Sequence, residues 1–211
     1  MAYDGGRLSH STLRRIHEAA QGSWGLGSRA AGSKIRLALA SQRQRLMAVQ
    51  IDDLDRHLLE LYGDTGYAGI AETMPTMTSV TAAMLLALSG DPAEFDSGRC
   101  LSKLAGLNAR ENESGDFKGA TGITRRGNPI FRTIAFRAAV TLAENNPEFK
   151  DRLFDLTHRR SNPLTRRQAY VALANKLLRI LHTMWVNKEP YDPDIATGRK
   201  PPTLLRQRHS D

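Results

Sequence analysis

An all-α fold is predicted for this 211-residue chain, in which a long coiled-coil-type helix is followed by a compact multi-helix domain with a glycine-rich central loop. Apolar residues recur every three or four positions over long stretches, which is the period of a helix with one buried face. The Asn-Pro steps at Asn128 and Asn146 place a capping side chain and a proline where helices begin. No alternating run indicates a sheet or a βαβ unit. The sequence therefore predicts helices packed on helices.

The charge balance restricts the partners that the chain can bind. A net charge of +8 favours a polyanion, although nucleic acid, a ribosome and an anionic membrane surface all fit this value. Cys100 is the only cysteine, which excludes an intrachain disulfide and a multi-cysteine zinc site. The longest apolar run, residues 80–88, is far shorter than the ~20 residues that span a bilayer. We therefore expect a cytoplasmic protein without a membrane partner.

The N-terminal part of the chain predicts a leader and then one long helix. Residues 1–27 are expected to be a disordered or frayed leader, because glycines follow a short basic stretch. Residues 28–63 are predicted to form a coiled-coil helix that ends at Gly63. Its seam has the spacing of a and d positions and consists of Leu37, Ala40, Met47, Ile51, Leu54, Leu58 and Leu61, with Gln44 as a polar member. This seam suits either an intramolecular hairpin or a dimer contact, and both remain open.

The sequence contains none of the common metal-binding patterns. Asp52, Asp53 and Asp55 could suggest a metal site, but their helical spacing divides them over different faces, as in a solvated charged surface. The six histidines do not pair at metal-binding spacing, and neither a Walker motif nor an HExxH motif occurs. We therefore predict no metal ligand in this chain.

Residues 64–192 are predicted to form the compact helical domain. Short helices are expected at 79–89, after Asp91-Pro92 and at 98–105, and longer ones at 129–144, 147–158 and 165–187. The side chains predicted to face the core of the first two longer helices are Ile130, Phe131, Ile134, Ala135, Ala138, Leu142, Phe149, Leu153 and Phe154. Residues 193–211 contain prolines and several cations, so we expect a basic disordered tail with non-specific phosphate affinity.

The stretch 111–132 combines a serine, glycines and cations just before a helix. Its four glycines would allow the backbone to approach a ligand closely, and Ser114 precedes Gly115 within this flexible segment. Arg125, Arg126 and Arg132 place positive charge near a helix N-terminus, which is suited to phosphate. The alternative is a polar surface loop, and local composition alone favours it because Ser-Gly steps are common in loops.

Several ordered blocks nevertheless resemble a known family. These blocks are Gly90-Asp91 with Phe95, residues 104–107, Ser114-Gly115, residues 122–128 with Arg132, and residues 167–178. Together they resemble the C-terminal transposase-20 domain of insertion-sequence transposases of the IS-one-ten type, over about residues 72–192. So many blocks in one order reverse the preference for a plain surface loop.

The resemblance implies a function for the central loop. Members of this family are DNA recombinases guided by a structured RNA, and a serine of their C-terminal domain attacks a DNA phosphodiester. It implies that Ser114 is the nucleophile. We also expect Lys118, Gly115, Gly127 and Asn128 to bind nucleic acid together with Arg125, Arg126 and Arg132. Cations of this kind would stabilise the negative charge that develops on the phosphoryl oxygens. The family's divalent metal, Mg²⁺ by expectation, is held by acidic residues of an N-terminal RNase-H-like domain.

Two departures from the family pattern change this expectation. An acidic domain of about a hundred residues or more should precede the coiled coil, whereas this chain has only the leader. Pro75-Thr76-Met77-Thr78 stands where the family has a Pro-Gly-x-Gly hairpin, which puts a backbone contact with DNA in doubt. We therefore expect a truncated transposase that is inactive alone.

Two rival functions remain open at the level of sequence. The chain could be a non-catalytic interaction protein that pairs through its coiled coil with a full-length transposase, or it could form a homo-oligomer. It could also be a basic helical nucleic-acid binder without a role in recombination. The first depends on the seam, and the second predicts that Ser114 has no function.

Overall fold

The structure, a computed structural model, describes residues 10–21, 30–110, 113–114, 117–118, 122–124 and 126–197. The chain divides into two compact units, Met1–His57 and Leu58–Asp211. Helices account for most of the described residues, and the strands among them are only two residues long. The predicted all-α class is therefore confirmed.

Two helices belong to the N-terminal part of the chain. Helix α1 spans His10–Gln21, and α2 spans Ala30–Gly63, so α2 agrees closely with the helix predicted at 28–63. Most apolar side chains of α2 before His57 are exposed; Leu37 and Leu54 are each 69% exposed. None of the described helices is both long enough and apolar enough to span a membrane.

The second unit contains the remaining helices and four very short strands. The helices are α3 (Ser79–Ser89), α4 (Gly98–Leu104), α5 (Pro129–Asn145), α6 (Pro147–His158), α7 (Arg166–Asn187) and α8 (Pro193–Thr197). The strands are β1 (Ala109–Arg110), β2 (Glu113–Ser114), β3 (Phe117–Lys118) and β4 (Gly122–Ile123). Single 3-10 turns occupy Ala71–Thr73 and Pro92–Glu94.

Helix starts follow the capping chemistry of the sequence. The Asn128 Oδ1 atom accepts the backbone N–H groups of Ile130 and Phe131 at 2.9 and 3.2 Å. Asn146 caps α6 in the same way through Phe149 N, at 3.1 Å. Thr165 and Gln168 form a reciprocal capping box at the start of α7. Each cap satisfies backbone donors that the first helical turn leaves unpaired.

Three segments differ from the prediction. Helix α1, His10–Gln21, lies within the leader that was expected to be disordered or frayed. Asp91-Pro92 opens only the 3-10 turn Pro92–Glu94, because Phe95 is already extended with φ −106° and ψ 130°. The segment predicted as a disordered tail begins with the five-residue helix α8, and residues after 197 lie outside the described part of the chain.

The core is built around α7, which contacts α4, α5 and α6. Its Trp185 is completely buried, as are Phe131 of α5 and Leu101 of α4. Ile130 and Phe154, which were predicted to be buried, are both 61% exposed. Ile130 is rotated by about 100° from Phe131 around the helix, so the two side chains cannot share one narrow face.

A polar cluster connects the turn after α2 with two other segments. The Lys188 Nζ atom donates to the Gly66 carbonyl at 2.7 Å and lies 3.5 Å from the centre of the Tyr67 ring. The Tyr67 hydroxyl donates to Asp91 at 2.6 Å. This hydrogen bond is the main reason why the pKa of Tyr67 is raised to about 12 and the pKa of Asp91 is lowered.

Thr76 lies in the left-handed region, with φ +70°. A β-branched residue is rarely found there, because its Cβ atom crowds the backbone. Thr76 stands at the first position where the resemblance noted above leads us to expect a glycine. The second, Thr78, has φ −89° and accepts the N–H group of Thr81 at 3.2 Å as the cap of α3. The turn therefore retains a glycine-like conformation at Thr76 without a glycine.

We expect Thr76→Gly to raise the free energy of unfolding by roughly 0.5–1 kcal/mol. Relief of left-handed strain contributes about 1–2 kcal/mol, and the greater entropy of an unfolded glycine removes about 0.5–1 kcal/mol. Urea unfolding measures the difference, with Thr76→Val as the β-branched control. A glycine variant less stable than the wild type would contradict the strain at this position.

Candidate nucleic-acid interface

Two short antiparallel strand pairs lie in and directly before the stretch 111–132, which is the glycine-rich segment. Strand β1 pairs with β4, so that Ala109 is opposite Ile123 and Arg110 opposite Gly122. Strand β2 pairs with β3, and here Glu113 is opposite Lys118. Pairs of two residues are too short to produce the alternating pattern that predicts a strand, which explains why the sequence indicated only a loop.

Two of the predicted site residues lie on the short strands. Ser114 lies on β2 directly opposite Phe117, and Lys118 lies on β3. Gly115 and Arg125 are outside the described residues. The assignment of Ser114 as a nucleophile and of Lys118, Gly115 and Arg125 as nucleic-acid ligands therefore stays a prediction.

Gly127 lies at a very close contact between two backbone segments. A Cβ atom at this position would be 2.4 Å from the Leu104 carbonyl oxygen and 2.5 Å from the Gly106 nitrogen. These distances are too short for any side chain. The adjacent Asn128 N–H group donates to the same Leu104 carbonyl at 2.8 Å. Gly127 thus allows the start of α5 to lie against the end of α4.

The remaining predicted ligands differ in how strongly the fold holds them. Asn128 uses its side-chain oxygen as the cap of α5. The half-buried Arg132 donates from Nη1 to the Ala105 carbonyl at 3.1 Å, so one of its N–H groups is bound to the fold. Arg126 is exposed, and its guanidinium group is accessible to a phosphate.

Two residues that sequence reasoning did not assign to the site also hold this region. The Ser102 hydroxyl donates to the Asn175 side-chain oxygen at 2.6 Å, and Asn175 Nδ2 makes a long contact of 3.5 Å with the Leu107 carbonyl. These contacts connect α4 and α7 with the segment that enters β1. A polar residue within the apolar stripe of α7 was the available signal for Asn175.

Side chains that could bind a metal are dispersed over the part of the chain that the structure describes. No group of three or more histidine, cysteine, aspartate or glutamate side chains there is arranged to hold a metal ion. His158, at the end of α6, instead stacks on the Phe154 ring with 4.1 Å between ring centres. The described side chains therefore do not fit the divalent metal that the resemblance implies.

Comparison with known proteins identifies relatives of this fold. The family model described as Transposase IS116/IS110/IS902 family matches residues 68–153. The chain is 31% identical over 160 residues to y4pF/y4sB of Sinorhizobium fredii, a transposase by name, which corresponds to 73% of this chain and 40% of that protein. It is 32% identical over 124 residues to the transposase for insertion sequence element IS1111A of Coxiella burnetii, covering 57% of this chain and 33% of that protein.

A third relative has a similar extent. The transposase for insertion sequence element IS1328 of Yersinia enterocolitica is 28% identical over 142 residues, covering 66% of this chain and 42% of that protein. The chain thus spans less than half the length of each of these curated relatives. The match to the family model begins after α2 and continues into α6, so it includes the whole glycine-rich segment.

We expect Gly127→Ala to lower the free energy of unfolding by about 1–3 kcal/mol, because the added methyl group forces two backbone segments apart. Gly122→Ala is the matched control, since no atom lies within 4 Å of a Cβ atom at that position. Denaturant unfolding of both variants checks the difference. Equal stabilities would show that the close contact at Gly127 does not constrain the fold.

Proposed function

The chain belongs to the Transposase IS116/IS110/IS902 family through residues 68–153, and on this premise we propose that it binds DNA as the C-terminal part of an insertion-sequence transposase. The observation that carries the proposal is the continuous match from the turn after α2 through the glycine-rich segment into α6. The net charge of +8 supports it, because phosphate contacts supply most of the affinity of such proteins for DNA. An element-encoded guide RNA is a second polyanionic partner within the same proposal, and we place this binding in the bacterial cytoplasm.

Ser114 is the proposed nucleophile. In the reaction its Oγ atom would form a bond to a DNA phosphorus while the bond from phosphorus to one deoxyribose oxygen breaks. The serine proton passes to a base, and the released hydroxyl takes up a proton. Because the phosphodiester energy is kept in the phosphoserine link, a second hydroxyl can later displace the serine. Arg125, Arg126 and Arg132 are proposed to stabilise the negative charge on the phosphoryl oxygens.

A serine hydroxyl is a weak nucleophile until a base or a metal activates it. The described residues do not fit a metal site, and no metal-dependent step is assigned to them. We propose that Mg²⁺ is bound by the acidic nuclease domain of the family and that this chain is inactive in strand transfer without that domain. This dependence rests on the resemblance to the family.

We expect Ser114→Ala to abolish covalent attachment to DNA. The assay is a denaturing gel of end-labelled DNA with the chain alone and with the part of a relative that this chain does not cover supplied in trans. We expect a labelled adduct only in the second case. Ser161→Ala, an exposed serine outside the glycine-rich segment, is the control and should retain the adduct.

An adduct that survives in Ser114→Ala would remove Ser114 from the reaction. A Ser114-dependent adduct formed by the chain alone would instead remove the proposed need for a second domain.

Helix α2 supports a second candidate function, which is pairing with another chain. Its seam exposes Leu37, Met47, Ile51 and Leu54, each between 54% and 69%, which is unusual for a continuous apolar stripe. The helix also segregates charge: Lys34, Arg36, Arg43 and Arg45 precede Asp52, Asp53, Asp55 and Glu60, with Arg56 among the latter. Two antiparallel copies of α2 would place the basic half of each beside the acidic half of the other. We propose a second copy, or a full-length transposase with the same helix, as the partner.

We expect Leu54→Lys to prevent this association, because the substitution places a charge inside the apolar seam. Gln42→Lys adds the same charge at an exposed position outside the seam and should leave association unchanged. Sedimentation velocity measures the molecular mass of each variant. Loss of association with unchanged DNA affinity would favour the interaction-protein function, whereas a monomeric wild type would exclude self-pairing.

A further inference from the structure

Helices α4 and α7 form a surface on which all charged residues of both helices are positive. Within the bounds of α4 these are Arg99 and Lys103, and within those of α7 they are Arg166, Arg167, Lys176 and Arg179. Neither helix contains an aspartate or a glutamate. Most surface helices of soluble proteins mix both signs, so two neighbouring helices without a carboxylate indicate a surface suited to anions.

The contacts between the two helices bring these cations close together. A Cβ atom on Gly98 would be 2.6 Å from Arg179 Cα, so the two backbones touch at this level. Ser102 bonds to Asn175 one turn further along α4, which shows that the helices are antiparallel. Arg99 and Lys103 directly follow Gly98 and Ser102, and they therefore lie beside α7 at the levels of Arg179 and Asn175.

Lys176 lies on the same part of α7, one turn before Arg179. Its amino group is half-buried, and burial lowers its pKa. The positive charges of Arg152 on α6 and of Arg179 lower this pKa further. Arg99, Lys103 and Arg179 are exposed, so their charged groups are accessible from solvent. Neighbouring charges of one sign repel each other, and an anion bound beside them would reduce this repulsion.

The positive surface has a defined edge. On the side of α6, Lys176 and Arg152 also line a cleft of about 660 Å³ that contains Glu148, Asp151, Asp155 and Asp194. Glu148, Asp151 and Asp155 belong to α6, and Asp194 belongs to α8. Their negative charges repel a phosphate chain from that side. A polyanion is therefore directed along α4 and the adjoining face of α7.

We propose that Arg99, Lys103, Lys176 and Arg179, the α4–α7 face, bind the phosphodiester backbone of a nucleic acid. This inference rests on the proposed function and adds a contact surface on rigid helices, separate from the glycine-rich segment. The face adjoins that segment, because the Leu104 carbonyl at the end of α4 accepts the N–H group of Asn128. Contacts of this kind set affinity and register and read no base sequence.

The first test compares two triple variants that remove equal charge from exposed positions. Arg99→Gln, Lys103→Gln and Arg179→Gln are combined in the full chain, and Arg137→Gln, Lys150→Gln and Arg160→Gln form the control. Lys176 is kept, because its stem is half-buried. Fluorescence anisotropy measures binding to a labelled 30-bp duplex DNA of arbitrary sequence, and to the corresponding RNA duplex, at several salt concentrations.

We expect the face variant to bind at least tenfold more weakly than the control. The slope of log affinity against log salt should fall by about 2–3 units on DNA, since each lost phosphate contact contributes about 0.9. A loss on DNA alone or RNA alone identifies the nucleic acid that uses the face. Circular dichroism verifies that both variants are folded.

A second measurement uses the unaltered chain. An amine-reactive reagent and mass spectrometry compare lysine labelling with and without the DNA duplex, and then with and without the RNA duplex. We expect at least one of the two duplexes to protect Lys103 and Lys176 from labelling, while Lys150 stays reactive.

Equal losses in the two triple variants, or no protection of Lys103 by either duplex, would overturn the inference while leaving the proposed function intact. A wild-type chain that binds neither duplex would overturn both.

Discussion

The close contact between Gly127 and the end of α4 determines how the C-terminal domain can hold its central segment. Because no side chain fits between Gly127 and the Leu104 carbonyl, the two backbones meet directly and Asn128 N donates to that carbonyl. This contact fixes the start of α5, where Asn128 then caps the helix. It also places Arg132 within reach of the Ala105 carbonyl. The two ends of the glycine-rich segment are therefore held together by backbone hydrogen bonds. One is from Asn128 N to Leu104 O, and another is from Thr124 N to Asn108 O.

Much of the fold could be predicted because its determinants are local. Helix starts depend on a capping side chain and a proline within four residues, which is why Asn128 and Asn146 were assigned correctly. The same rule failed at Asp91-Pro92, since the cap and proline were present but the residues after Glu94 continue in an extended conformation. Burial was less predictable: Ile130 and Phe154 are apolar and close to the inner face, yet both are mostly exposed. The periodicity of one helix indicates the direction of its inner face, but the width of the buried face depends on the helices packed against it.

How well the candidate site could be predicted from the sequence also depends on whether the interactions are local or join distant residues. Sequence resemblance identified the glycine-rich segment, and the family match over residues 68–153 agrees with it. The resemblance could not distinguish residues that would contact nucleic acid from residues that hold the loop in place. The second role depends on contacts with α4, which a sequence motif does not show. Gly127, Asn128 and Arg132 all have such contacts in the fold, whereas Arg126 is exposed. Asn175 was missed for a related reason, since its partners Ser102 and Leu107 are about seventy positions earlier in the chain.

Helix α7 contributes both to the core of the domain and to its positively charged surface. Its buried side, with Trp185, Leu177 and Leu181, packs against α4, α5 and α6, so the helix cannot move independently of the core. Its remaining surface carries cations without carboxylates. Charges on such a rigid support lose little conformational freedom when they bind a regular polyanion, and less of the binding free energy is spent on ordering the protein. In the proposed function, the glycine-rich segment would contribute the chemistry that requires close approach, while the helices beside it would fix the position of the phosphate backbone. Affinity and reaction would then depend on different elements, with the cations on α4 and α7 and the proposed nucleophile on β2.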